Sequence, residues 1–144
     1  MAEKNPPKEN NSVKQFDTAK YLLLETFRKN GNGVRTPVFF AEHNGLLYIS
    51  TPGRTGKAKR LRVNDNVRVV PTDFRGKKVE GEWLNGKARI INDPSTTKLV
   101  NSLLYKQHPF LRRVRAFIDL FERPKRLFYS IEIMNNNSNT KSIS

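Results

Sequence analysis

The sequence predicts an α+β fold in which six antiparallel strands, joined mainly by hairpins, close into a small barrel with flanking helices. Two turn signals support the hairpins, because Asn-Gly-Asn-Gly at 30–33 and His-Asn-Gly at 43–45 each lie between segments rich in strand-forming residues. Two helical patterns between residues 93 and 121 precede an alternating segment at 126–134. Hairpin-linked strands with few helices are typical of an α+β barrel.

The predicted strands begin with residues 20–28 and with 34–42, the return strand of the first hairpin. Pro37 in the second segment favours an edge or bulged strand, because proline cannot donate a ladder hydrogen bond. The remaining strands are predicted over 46–51, 66–73, 79–92 and 126–134, and Asn85-Gly86 could break the third of these.

Helices are predicted over about 13–19, over 55–64, from Asp93-Pro94-Ser95 to His108-Pro109, and over about 110–121, with Pro124 as the last stop. The apolar residues of the last helix follow helical spacing and are expected to face the core. They are Phe110, Val114, Phe117, Ile118 and Phe121. The opposite, solvent-facing side is expected to carry Arg112, Arg113, Arg115 and Asp119.

Composition indicates one folded domain at 13–134, between a flexible N-terminal segment at 1–12 and a disordered polar tail at 135–144. The formal net charge of +14 implies an anionic partner without identifying it. The chain has no cysteine, which excludes a disulfide framework and any thiolate chemistry, and its two histidines make a metal site unexpected. The polar start lacks a signal-peptide pattern, and no apolar run could span a bilayer, so a cytoplasmic protein without membrane attachment is expected.

A phosphate-binding loop is the strongest candidate site. Ser50 and Thr51 end a predicted strand, and Thr55, Gly56 and Lys57 begin the following helix. Helix N-termini and nearby cations bind phosphate well, and further basic residues follow the loop. These are Arg54, Lys59, Arg60 and Arg62. The spacing does not match a Walker A loop, and a solvated basic helix is an equally good interpretation from composition alone.

Acid–base and nucleophilic residues are scarce elsewhere. His43 and His108 resemble a turn residue and a helix-end residue, and no pair of carboxylates can be argued from the predicted strands. No catalytic side chain is therefore predicted, and any demanding chemistry would reside in a bound cofactor. Trp83 is either a core residue beside a turn or a stacking partner for a planar ligand.

Three segments carry a family resemblance: KYLLLETFRKNGNGVRTPVFF, GLLYISTPGRTGKAKRLRVNDNVRVVPTDFRGK and GEWLNGKARII. Over about 17–94 the chain resembles the pyridoxamine-phosphate-oxidase-like split β-barrel family, and within it the branch of F-420-dependent enzymes. The resemblance implies a six-stranded antiparallel split barrel that forms a homodimer. It also implies two cofactors, FMN or F-420, in clefts at the dimer interface, together with a small-molecule substrate.

The resemblance also implies roles for individual residues. The backbone of Thr36, Pro37 and Val38 would lie along the cofactor ring. The phosphate would be bound near Ser50, Thr51, Thr55, Gly56 and Lys57, with help from Arg54, Lys59 and Arg60. Trp83 would reach the cofactor region, including that of a neighbouring subunit. Gly56 stands where the oxidases proper tend to carry arginine, and their substrate-phosphate residues have no counterpart, so pyridoxamine-phosphate oxidation itself is not expected.

The resulting hypothesis is an oxidoreductase that passes a hydride between F-420 or FMN and a small organic substrate. The motifs do not distinguish the two cofactors, although the positive charge slightly favours F-420 with its anionic tail. A cofactor-binding carrier or sensor without turnover is the first alternative. A basic nucleic-acid-binding barrel is a second and less favoured one.

Overall fold

In the part of the chain that the structure describes, seven strands form a single antiparallel sheet. They are β1 (Tyr21–Phe27), β2 (Gly33–Phe39), β3 (Ala41–His43), β4 (Leu46–Pro52), β5 (Asn66–Thr72), β6 (Leu84–Ile90) and β7 (Arg126–Ile133). The order across the sheet is β2-β1-β5-β6-β7-β4-β3. The helices whose full bounds lie within the described residues are α1 (Gly56–Val63), α2 (Pro94–Gln107) and α3 (Pro109–Phe121).

The structure, a computed structural model, describes residues 13–121 and 125–134. The predicted flexible segment at 1–12, the polar tail at 135–144 and the helix stop at Pro124 lie outside the described residues. None of the helices in the described part of the chain is long and apolar enough to cross a membrane.

The sheet curls into a barrel because its two edge strands are neighbours in the chain. Only Phe40 separates β2 from β3, which lie at opposite ends of the strand order. One residue spans less than about 4 Å, so the two edges must approach each other there. Phe40 is 2% exposed and packs in the barrel interior. The predicted barrel is confirmed, with seven strands in place of six because the segment predicted at 34–42 divides at Phe40.

Pro37 lies on an edge strand, as predicted, because β2 pairs only with β1. The prediction for residues 79–92 was too long. Val79 makes an isolated bridge to Thr72, and β6 begins only at Leu84. Asn85 and Gly86 do not break this strand. A β-carbon at Gly86 would lie 2.9 Å from the carbonyl oxygen of Glu132, so glycine allows β7 to approach closely here.

Two apolar clusters stabilise this arrangement. The barrel interior includes Leu22, Leu24, Leu47, Ile49 and Ile131, each almost fully buried. The second cluster joins the helical pair to β3 and β4, and it contains Ala41, Tyr48, Val100, Leu104 and Leu111. The helical pair is thereby fixed beside the strand that leads into the candidate phosphate loop.

The orientation predicted for the last helix was wrong. Leu111 and Arg115 of α3 are buried at 4% and 7% exposure, whereas Phe110 and Phe117 are 67% and 63% exposed. Leu120 is 77% exposed. The apolar stripe read from the sequence therefore points largely away from the barrel, and one arginine assigned to solvent is buried.

Candidate functional site

The predicted phosphate loop connects β4 to α1, and Thr55 organises it. The Thr55 hydroxyl accepts a hydrogen bond from the backbone N–H of Ala58 at 3.3 Å, which caps the helix. It donates to the carbonyl oxygen of Pro52 at 3.0 Å. Thr51 lies 3.2 Å from the same hydroxyl, oxygen to oxygen, and is 1% exposed. The loop therefore holds Thr51 and the helix start in a fixed relationship.

The hydroxyl protons of the two threonines are both assigned by this network. A hydroxyl has one proton to donate, and Thr55 uses its own on Pro52. Thr51 must then donate to Thr55 across their 3.2 Å contact. A phosphate that accepts a hydrogen bond from Thr51 would have to draw this proton away from Thr55.

Lys57 is the half-buried cation of the site. Burial lowers the pKa of its ammonium group, and repulsion from Arg60 lowers that pKa further. The Arg60 Nε donates to the Thr26 hydroxyl of β1 at 2.7 Å. A β-carbon at Gly56 would lie 2.7 Å from Arg60 Nη1, so Arg60 folds back over the start of its own helix. An anion beside Lys57 would relieve this concentration of positive charge.

A cleft of about 200 Å³ brings part of the predicted site together. Four of the twelve predicted residues line it, namely Val38, Ser50, Thr51 and Lys57. The other lining residues are Phe39, Pro52, Leu104, Leu111, Val114, Arg115, Ile118 and Arg126. None of these lining residues is acidic, so the described lining of the cleft combines cations, hydroxyls and apolar side chains.

The other predicted residues do not line the cleft. Thr55, Gly56 and Arg60 lie directly beside it through the contacts described above. Arg54 and Lys59 are exposed. Thr36 and Pro37 lie on β2 next to Val38, opposite Leu24 and Leu23 of β1. Only the Val38 end of the predicted ring-binding strand therefore meets the cleft.

Trp83 belongs to a different cluster. The guanidinium groups of Arg35 and Arg68 both lie over its ring, each 4.6 Å from the ring centroid. Both arginines also pair with the buried carboxylate of Glu25, at 3.1 Å and 2.9 Å. The Glu25 carboxylate thus has two cationic partners. Within this chain Trp83 is a stacking residue of an ion-pair cluster.

Sequence reasoning missed two cleft cations, Arg115 and Arg126. Arg115 was assigned to a solvent face because the apolar spacing of its helix suggested the opposite face for the core. The usable signal was Leu111, which lies one helical turn before Arg115 and is buried with it. Arg126 lies at the start of β7, and its Nη1 donates to the Ser50 hydroxyl at 3.5 Å.

His108 is a structural residue, in keeping with its predicted place at a helix end. It caps α2, with its backbone N–H bonded to Leu104, and its ring nitrogen Nε2 lies 2.6 Å from the carbonyl oxygen of Phe40. Because a carbonyl only accepts, Nε2 donates. Burial lowers the pKa of His108 most, and Lys20 lowers it further, against the opposing effect of the Phe40 hydrogen bond.

A larger cleft of about 380 Å³ lies between residues 16–20 and the end of α2. It contains none of the predicted site residues, and two carboxylates line it, those of Asp17 and Glu42. A phosphate is better accommodated by the smaller cleft, where cations and hydroxyls meet without acids. Across residues 13–121 and 125–134, no group of three or more potential ligands is arranged to hold a metal ion.

Solved structures of three proteins share this architecture. A candidate pyridoxamine 5'-phosphate oxidase from Listeria innocua is 16% identical, with a TM-score of 0.61 over 88% of this chain and 94% of that one. A FAD-binding protein from Mesorhizobium loti is 19% identical, with a TM-score of 0.62 over 88% and 87%. HutZ, the heme storage protein from Vibrio cholerae, is 13% identical, with a TM-score of 0.63 over 89% and 91%.

Neither a protein-family model nor a curated protein sequence matches the chain. At the identities of the structural neighbours, the likeness shows the fold. The chain therefore has the split-barrel fold that the resemblance predicted, and these neighbours with different named ligands show that the fold alone does not select one.

Proposed function

We propose that the chain binds a flavin-type cofactor, FMN or F-420, and passes a hydride between it and a small organic substrate. One observation carries the proposal. Lys57 and the hydroxyls of Ser50 and Thr51 line a single cleft together with Val38 of the predicted ring-binding strand. A FAD-binding protein and a candidate pyridoxamine 5'-phosphate oxidase among the structures of the same fold support the choice of cofactor class.

The donor set suits a phosphate ester. Lys57 offers a charge-assisted hydrogen bond, and the first backbone N–H groups of α1 have no acceptor within the helix. The cluster of Lys57 and Arg60 is short of negative charge, since burial and then repulsion from Arg60 lower the pKa of Lys57. A cofactor phosphate would supply that charge, and none of the described residues that line the cleft is acidic.

The bound ring would supply the hydride chemistry, and the chain would bind and orient it. In this proposal Thr51, Thr55 and Lys57 anchor the phosphate, and the β2 backbone from Thr36 to Val38 orients the ring. The apolar wall from the helical pair would exclude water from the reacting face. The shortage of acid–base side chains in the cleft fits such a division of labour and equally fits a cofactor carrier without turnover.

The proposed assembly is a homodimer with the cofactor clefts at the interface. The exposed apolar residues of α3 support it, because a solvent-facing stripe with Phe110, Phe117 and Leu120 is suited to burial against a second chain. α3 also lines the cleft. A partner covering α3 would therefore lie close to the proposed cofactor, and Trp83 of one chain could reach the cofactor of the other.

Mass spectrometry of retained cofactor tests the proposal. The purified full-length chain is incubated with equal concentrations of FMN and F-420, washed, denatured and analysed for released small molecules. The proposal predicts that one of the two is released in a one-to-one ratio with the chain. Release of neither would contradict it. With the cofactor identified, turnover of a substrate panel separates the oxidoreductase from the carrier.

A further inference from the structure

Arg115 is a buried cation with an unused hydrogen-bond donor. It is 7% exposed and lines the cleft from α3. Its Nη1 donates to Asn101 Oδ1 at 2.7 Å and to the Tyr105 hydroxyl at 3.2 Å. Its Nε is buried and has no hydrogen-bond partner in the structure. No carboxylate forms an ion pair with Arg115 among the described residues.

Without a ligand, the burial of this unpaired charge raises the free energy of the folded protein. A guanidinium stays charged at any physiological pH, and a buried charge needs a partner of opposite sign to offset its lost hydration. The charged side chains described around it are also cations: Arg112 stacks on Tyr105 at 4.4 Å, and Lys57 and Arg126 line the same cleft. A ligand oxyanion would supply both the missing charge and the missing acceptor.

The hydrogen bonds already made leave one edge of the Arg115 guanidinium without a partner. Asn101 and Tyr105 hold Nη1. The Nε and Nη2 hydrogens lie parallel on the other edge of the planar group, which is the geometry that binds a carboxylate through two oxygens. The two polar residues of α2 therefore orient the guanidinium and leave its bidentate edge unused.

The surroundings of Arg115 indicate the rest of the ligand. Leu104 and Leu111 line the cleft beside it, as do Val114 and Ile118 of the same helix. We propose that Arg115 binds the carboxylate of a small substrate with an apolar body, at an anion subsite separate from that of Lys57. The inference rests on the proposed function in one respect, because it leaves the Lys57 end of the cleft to the cofactor phosphate.

Benzoate and benzamide are matched probes, because both are planar and apolar and only benzoate carries the negative charge. Calorimetric titration of the full chain, with and without its cofactor, measures their dissociation constants. The proposal predicts that benzoate binds at least about tenfold more tightly than benzamide, as expected for loss of a charge-assisted contact. Equal affinities would overturn it without requiring any variant.

Variants locate the subsite. Arg115→Gln is expected to weaken benzoate binding about tenfold, and Arg115→Lys should recover only part of that loss, because lysine keeps the charge but not the bidentate edge. Arg113→Gln changes an exposed arginine of the same helix and serves as the control. Thermal unfolding shows whether each variant is folded. If Arg115→Gln is unfolded, the comparison of benzoate with benzamide on the unmodified chain still tests the proposal.

Two results with the variants would also overturn the proposal. One is an equal loss of benzoate binding in Arg113→Gln, which would indicate a general effect of charge. The other is unchanged benzoate binding in Arg115→Gln with cofactor affinity reduced as strongly as in Lys57→Ala, which would assign Arg115 to the cofactor phosphate. If Arg115-dependent benzoate binding occurs but no cofactor binds, the proposed cofactor fails while the carboxylate subsite stands.

Discussion

Lys57 is the residue on which the proposed site depends most. Its ammonium group is half-buried beside Arg60, and both conditions lower its pKa from the ordinary lysine value of 10.5. A bound phosphate would reverse the second effect, because its negative charge favours the protonated lysine. Cofactor binding and protonation of Lys57 should therefore be linked.

We predict that cofactor affinity falls as the pH rises through the lowered pKa of Lys57. The decline should begin at a lower pH than it would for a lysine of ordinary pKa. Phosphate binding needs the charged form, and the charged form is lost first at that pH. Lys57→Arg should abolish the decline, because arginine remains charged throughout. Dissociation constants of the two proteins, measured over a range of alkaline pH by flavin fluorescence, check this. Parallel pH profiles would contradict it.

A loss of folded protein through the titration of Lys57 would not explain such a decline in cofactor affinity. Between the lowered pKa and 10.5, the unfolded chain carries the Lys57 proton more often than the folded chain does. The contribution of this group to the free energy of unfolding therefore rises with pH over that interval. As the pH rises over that interval, cofactor affinity should fall while the contribution of Lys57 to the free energy of unfolding rises.

Arg115 marks the limit of sequence reasoning at the residue scale. The spacing of Phe110, Val114 and Phe117 correctly predicted an amphipathic helix. It could not show which side of that helix would meet the barrel, because an apolar stripe suits a core and a subunit interface equally well. The grouping of Ser50, Thr51 and Lys57 in one cleft was easier to predict, since a loop between a strand and a helix carries its own local signal.

At the scale of elements, the N-terminus of α1 serves both stability and the proposed site. Thr55 caps this helix and contacts Thr51, whereas Asp93 caps α2 by accepting from the N–H of Thr96 at 3.1 Å. The two caps are similar in kind, but only the first adjoins the cleft. They form a matched pair for separating helix stability from cofactor binding.

Replacing either cap by alanine should lower the free energy of unfolding by about 1 kcal/mol, the usual effect of losing an N-cap. Thr55→Ala should in addition weaken cofactor binding, because Thr51 loses its partner and the helix start loses its fixed position. Asp93→Ala should leave cofactor affinity unchanged. Urea unfolding and cofactor titration of both variants measure this, and equal effects on affinity would refute the role given to the α1 cap.

Most strands and helices could be predicted from turn and capping signals. Pro37 correctly indicated an edge strand, and Asp93-Pro94 correctly indicated a helix start. The division of the second strand at Phe40 could not be predicted, since it results from the closure of the sheet and not from a local breaker. Gly86 was wrongly expected to break a strand for a related reason. Its role is to allow the close approach of β7, which is not visible in the local sequence.

At the scale of the whole molecule, the exposed apolar side of α3 is the feature on which the proposed homodimer rests. Leu120 and Phe110 are 77% and 67% exposed on a helix whose other side lines the cleft. The proposed homodimer would cover them. The barrel could be predicted from the sequence because its strands and turns leave local patterns in the chain. Contact with a second chain leaves no such local pattern.

We predict that Leu120→Glu weakens dimerisation, because a charge placed in an apolar interface must be buried without a partner. Val63→Glu is the control, since Val63 is 61% exposed at the end of α1 and does not line the cleft. Sedimentation equilibrium over a concentration series measures both. A monomeric unmodified chain, or equal dissociation constants for the two variants, would contradict the proposed interface.

The central claim is that Lys57 anchors the phosphate of a flavin-type cofactor, and its most direct test compares two lysines of one helix. Lys57→Ala removes a cation from the cleft, whereas Lys59→Ala removes an exposed cation two residues away. A charge-assisted hydrogen bond contributes roughly 1.5–3 kcal/mol, so the first variant should lose cofactor affinity at least about tenfold and the second should lose little. Equal affinities of Lys57→Ala and the unmodified chain would contradict the account.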